Sequence, residues 1–121
     1  MAGTGSAVKI RDVRAYPLRT RTALVRVTTD AGVEGIGERS PMNVPVMCHF
    51  VETALRPIVL GQDPLDTERL WDAMYFGTHK LGTGGVQPSC IAGVDIALWD
   101  IKGKLLGQPL YRLLGGAVRT S

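Results

Sequence analysis

The run from Ile91 to Lys104 constrains this chain more than any other segment. Residues 91, 94, 98, 101 and 105 are all apolar, and that 3-4-3-4 spacing places them on one face of an α-helix. Ala92, Gly93 and Ala97 are small and allow another element to approach closely. Gly107 fits the helix stop, Pro109 restarts a short helix, and Gly115 ends it.

The first third of the chain has a different period. Lys9 to Leu18 alternates apolar and polar residues until Tyr16-Pro17 breaks the run. Leu24 to Thr29 alternates more cleanly and is rich in β-branched residues. Asp30-Ala31-Gly32 is hairpin-turn chemistry, and Val33 to Glu38 reads as a third strand with Gly35 and Gly37 on one face. The expected result is a three-stranded antiparallel meander from Lys9 to Glu38.

Beyond Ser40 the period becomes helical. After a loop with Pro41, Asn43 and Pro45, apolar residues at Met47, Phe50, Val51, Ala54, Leu55 and Ile58 predict a helix over Val46–Leu60. Asp63 reads as an N-cap with Pro64 at the first helical position, predicting a second helix over Pro64–Tyr75 with Leu70, Trp71, Met74 and Tyr75 as its core stripe. Gly77 to Gly85 reads as a glycine-rich loop, and the last long helix is predicted over Pro88–Leu106. Strands followed by helices indicate an α+β fold: a three-stranded antiparallel β-meander followed by a helical bundle.

Composition narrows the function classes. The 121 residues allow one domain, and the net charge of +3 comes from scattered basic residues without a block, which argues against nucleic acid. No apolar stretch approaches membrane-span length, and Met1 to Ala7 has no apolar core of a secretory signal. Cys48 and Cys90 read as two reduced thiols of a cytoplasmic protein.

Few residues carry chemistry. His49 and Glu52 share a helix face, but a metal site needs three or four ligands and no third is evident. His79, in the glycine-rich loop, reads as a solvated histidine. That loop lacks the Gly-Lys-Ser/Thr ending of a P-loop and follows a helix. Neither cysteine has a histidine neighbour that would activate it. Asp95 and Asp100 differ from the other carboxylates in lying on an apolar helix; hydrogen bonding to a loop or pairing with an arginine is favoured over a metal or catalytic role. Arg19 and Arg21 form one small basic patch; guanidinium geometry would suit a carboxylate, but on the residues alone a solvated turn is favoured.

Three segments, taken together, resemble the N-terminal capping domain of the mandelate racemase and muconate lactonizing enzyme branch of the enolase superfamily. They are Lys9-Ile10-Arg11-Asp12-Val13-Arg14-Ala15-Tyr16-Pro17-Leu18, the hairpin Thr29 to Glu38, and above all Ile91 to Gly116. The likeness runs from about Val8 to Ser121. It implies a capping domain over residues 9–116, after a disordered tail (1–8) and before the lead-in to a barrel (117–121). In that family the barrel supplies three carboxylates for magnesium and the groups that abstract the proton next to a substrate carboxylate.

The resemblance also implies two substrate-covering loops, here about Leu18 to Ala23 and Ser40 to Met47. They make Arg19, Thr20, Arg21, Met42 and Asn43 the candidate specificity residues. The arginines would suit a small acidic substrate such as a sugar acid, with racemisation, dehydration and cycloisomerisation all open. Every metal ligand and acid/base group would lie beyond Ser121. This chain is therefore expected to hold no magnesium and to turn nothing over alone. The partners implied are the barrel domain, a small carboxylate substrate and, from the two-sided packing of the last helix, further copies in a homo-oligomer. The competing reading is a stand-alone binding or oligomerisation module.

Overall fold

The computed structural model describes residues 8–18, 22–39, 44–81 and 86–107. Strands β1 (Ile10–Pro17), β2 (Ala23–Thr29) and β3 (Glu34–Arg39) form one antiparallel sheet in the order β1-β2-β3. Helices α1 (Val44–Phe50), α2 (Arg56–Val59), α3 (Thr67–Thr78) and α4 (Val86–Leu106) follow. The α+β architecture is the expected one, with the helices on one face of the meander.

Alternation does the sorting within the sheet. Ala23, Val25, Val27 and Thr29 of β2 all point inward. On β1 the register shifts between Ile10 and Asp12, so an irregularity at Arg11 lets Ile10 and Val13 both face the core. The β2–β3 turn relies on Gly32 at φ +81°, and Thr29 locks it by donating its hydroxyl to the Val33 carbonyl at 2.8 Å.

The helix predicted over Val46–Leu60 is continuous from Val44 but not uniform. A π-helical segment, Val51–Leu55, joins α1 to α2, with the Arg56 N–H reaching back to the Val51 carbonyl. Pro57 supplies the reason: it has no N–H to donate and its ring would crowd the carbonyl four residues earlier, so the ladder widens. The wider turn also serves the core. Met47, Val51, Leu55 and Val59 are fully buried at a strict four-residue spacing. Such a row would drift around an α-helix of about 3.6 residues per turn.

Helix starts differ from the expected ones for two reasons. Pro45 and Pro88 lie in the first turns of α1 and α4, where a missing N–H costs nothing, so those helices begin at Val44 and Val86. Asp63 is not the cap of α3. It closes a local turn, accepting the Leu65 N–H on its side chain (2.9 Å) and the Asp66 N–H on its carbonyl (3.1 Å). The helix starts at Thr67 and runs through Gly77 to Thr78, so the segment predicted as loop from Gly77 begins helically. The short helix predicted near Pro109 lies outside the described residues.

The core joins Val13, Val25 and Val27 of the sheet to Leu55, Leu70, Met74, Ile91, Val94, Leu98 and Ile101 of the helices. The small-residue face of α4, expected to await a second partner, is already occupied. Gly93 and Ala97 pack on Gly35 and Gly37 of β3. A Cβ on Gly35 would overlap the Ala97 carbonyl oxygen and sit 2.7 Å from Ile101 Cγ1. A Cβ on Gly37 would overlap the Gly93 carbonyl oxygen. These glycines are required by close approach, because any side chain would displace helix backbone.

Candidate functional site

The sheet register brings the roots of both predicted loops to one end of the molecule. Pro17 pairs with Ala23, and Ala23 pairs with Arg39, so one row of the sheet carries the end of β1, the start of β2 and the end of β3. The first loop leaves and returns through Leu18 and Thr22, whose backbones are joined by a Leu18 N–H to Thr22 carbonyl bond of 2.8 Å. Thr22 also donates its hydroxyl to Glu38 at 2.9 Å, which ties this root to β3. The second loop departs beside it after Arg39 and lands on Val44. Its far end is fixed by buried Met47, whose carbonyl accepts the Cys90 thiol of α4 at 3.6 Å. Because α1 begins at Val44, the second loop is shorter than the expected Ser40 to Met47.

The candidate specificity residues Arg19, Thr20, Arg21, Met42 and Asn43 all lie outside the described residues. What is fixed is the frame beneath them: two connections rooted on adjacent strands, on the edge of a rigid sheet-and-helix core.

Most of the carboxylates that could have served chemistry serve the fold. Asp12 accepts Arg14 at 2.9 Å, Arg56 at 2.8 Å and the Val13 N–H at 3.0 Å. Burial pushes its carboxyl up, but these hydrogen bonds together outweigh that and hold it below its usual value. Glu34 is paired through two nitrogens of Arg26, whose hydrogen bond holds the Glu34 carboxyl low. Glu52, weighed with His49 as a metal ligand, instead accepts the Ala15 N–H of β1 at 2.9 Å. Asp100 accepts the Ile36 N–H of β3 at 3.0 Å and meets Lys104 at 3.3 Å, so it binds a strand rather than a loop or an arginine. His79 donates from Nδ1 to the Phe76 carbonyl at 3.0 Å. Cys48 and Cys90 are free thiols, and burial pushes the Cys48 thiol up.

Among the described residues no group of three or more His, Cys, Asp or Glu could hold a metal ion. Magnesium therefore does not fit the donor set that this part of the chain presents. No helix is long and apolar enough to cross a membrane.

One further cavity was not legible as a site in the sequence. Trp71, read as core, is 38% exposed, while Leu70 and Met74 beside it are fully buried. With Thr67, Glu68, Asp95 and Trp99 it borders a cleft of about 120 Å³ between α3 and α4. A neighbouring hollow of about 390 Å³ continues along Leu65, Arg69 and Lys102. The available signal was Asp95 one turn before Trp99 in an otherwise apolar stretch.

The fold agrees with the comparisons to known proteins. Residues 14–115 match the family described as the mandelate racemase / muconate lactonizing enzyme N-terminal domain, and the chain belongs to that family. It is 43% identical over 112 residues to a D-galactonate dehydratase of Verminephrobacter eiseniae, and 43% identical over 118 residues to one of Ralstonia pickettii. Each match covers 93% of this chain and 29% of the relative, so the chain spans less than a third of these proteins. A mandelate racemase/muconate lactonizing protein from Paracoccus denitrificans, solved in complex with magnesium, is 43% identical. It superposes with a TM-score of 0.86 over 94% of this chain and 32% of its own. A member of the enolase superfamily from Salmonella Typhimurium is 35% identical with a TM-score of 0.84, covering 93% of this chain and 30% of its own.

Proposed function

We propose that this domain caps the active site of an acid-sugar dehydratase of the enolase superfamily and sets its substrate specificity. In the full-length enzyme a separate barrel domain would abstract the proton next to a substrate carboxylate with the help of magnesium. The observation that carries the reading is the convergence of both loop roots on one sheet edge. That arrangement suits a lid: two short loops on a rigid base. Similarity to D-galactonate dehydratases at 43% identity favours dehydration of a sugar acid over racemisation or cycloisomerisation. Within the lid, Arg19 and Arg21 would face the acid, with Thr20, Met42 and Asn43 shaping the remainder. The domain would act in the cytoplasm.

The test replaces the matching segment of the Verminephrobacter enzyme with residues 9–116 and assays a panel of sugar acids for dehydration. Turnover of at least one is expected. Arg19→Ala with Arg21→Ala should raise KM by roughly 10-fold, the loss of a charge-assisted contact. A folded chimera inactive on the whole panel would refute the capping assignment. An active chimera indifferent to both substitutions would refute the role of the arginines. The 121-residue chain alone should show no α-proton exchange.

A further inference from the structure

The cleft between α3 and α4 has the makings of a recognition site built from residues outside both loops. Five residues border it: Thr67, Glu68 and Trp71 from α3, and Asp95 and Trp99 from α4. Among the described residues Asp95 makes no hydrogen bond or ion pair, in contrast to Asp12, Glu34, Glu52 and Asp100. Of the nearby cations, Arg69 pairs with Asp66 at 2.9 Å, while the Lys102 ammonium lies 4.6 Å from the Trp99 ring centre and covers one face of that ring, leaving the other to the cleft. Trp71 is held in place by stacking on Tyr75, with ring centres 5.2 Å apart and planes 7° from parallel.

The cleft therefore presents two indoles, one half-buried carboxylate without a counter-charge among the described residues and a second carboxylate, Glu68, at its exposed rim. Guanidinium is the group that matches this set. It is flat enough to lie on an indole, it forks to a carboxylate, and it sheds water more readily than an ammonium ion. We propose that the cleft is a docking site for an arginine side chain of a partner protein, with Asp95 as its anion and Trp71 and Trp99 as its walls. Burial also pushes the Asp95 carboxyl above its usual value.

Trp71 and Trp99 are the chain's two tryptophans, so tryptophan fluorescence, excited selectively over the tyrosines, reports on this cleft. The 121-residue chain is titrated with N-acetyl-arginine methylamide, with its neutral citrulline isostere and with the lysine analogue. Arginine should give a saturable change in the millimolar range. Citrulline should bind at least about 10-fold more weakly, the loss of a charge-assisted pair. Asp95→Asn keeps the side-chain shape and should reduce arginine affinity to the citrulline level while circular dichroism stays unchanged. Equal binding of arginine and citrulline, binding of lysine as tight as that of arginine, or full affinity in Asp95→Asn would each overturn the proposal. So would a fluorescence change that follows protein concentration without ligand, which would make a second copy the occupant.

Discussion

Helix α4 meets one neighbour with almost no side chain and the other with the largest side chains in the chain. Along β3 the contact is Gly93 and Ala97 against Gly35 and Gly37, so close that no added carbon fits. Toward α3, beyond the shared core of Leu70, Met74, Ile91, Val94 and Leu98, Trp99 and Asp95 lie with Trp71, Thr67 and Glu68 around an open cleft of about 120 Å³. In the first case the geometry is fixed by backbone. In the second, large side chains border a cleft at the surface of the helix pair. Small residues in this domain serve position, and large ones at its surface serve access.

The strongest way to break the contrast is Gly35→Ala. Its new methyl would meet backbone rather than a movable side chain, so α4 must shift as a whole. The expected loss is about 3 kcal/mol or more, read as the midpoint of urea unfolding. A loss under about 1 kcal/mol would mean that the seam is softer than its geometry implies.

Asp100→Ala tests the polar half of the same seam. It removes the bond to the Ile36 N–H and the contact with Lys104, both near solvent. The expected cost is about 1 kcal/mol, smaller at high salt.

Gly77→Ala provides the contrast inside α3. The nearest atom to its new carbon is Ile58 Cδ1 at 2.9 Å, the far end of a flexible side chain. Helix propensity favours alanine by about 0.5–1 kcal/mol, and rearrangement of Ile58 offsets part of that. The net effect should be close to neutral, and a loss as large as that of Gly35→Ala would erase the distinction between seam and helix.

A comparably small effect, of stabilising sign, belongs to the cleft. The folded state raises the Asp95 carboxyl above its ordinary value of 3.8, so the folded protein binds this proton more tightly than the unfolded chain. Stability therefore falls as pH rises through that interval, and the penalty is complete at neutral pH. Asp95→Asn removes it. The variant should melt slightly higher at pH 7 and show no such advantage below pH 3.8. A variant that melts lower at pH 7 would mean that the carboxylate has a stabilising partner.

Periodicity carried most of the architecture. The switch from alternation to helical spacing after Ser40 located the sheet and every long helix, and Gly35 and Gly37 announced a close neighbour. The errors share a cause in backbone chemistry. Pro57 left no mark in the apolar pattern, because the π segment it forces keeps Met47, Val51, Leu55 and Val59 in line. Asp63 followed by Pro64 resembles a helix start, and only the competing turn at Leu65 and Asp66 shows otherwise. Trp71 was misplaced because its neighbours Leu70 and Met74 are core, while its own position depends on how two helices cross. For the site, sequence resemblance reached the two loops, and the strand register added why they lie together: Pro17, Ala23 and Arg39 share a row.

Both outer strands of the sheet meet a carboxylate from the helical segments on their free edge: Glu52 on the Ala15 N–H of β1, and Asp100 on the Ile36 N–H of β3, where Lys104 also binds the Glu34 carbonyl at 2.7 Å. A bare strand edge is a template for the next strand, and sheets with bare edges can grow without limit. Here each edge carries a stopper, delivered by helices that form after the strands in chain order. The same helices that bury the face of the meander thus also occupy part of each outer edge, and a chain released before α4 was made would carry β3 without its cover.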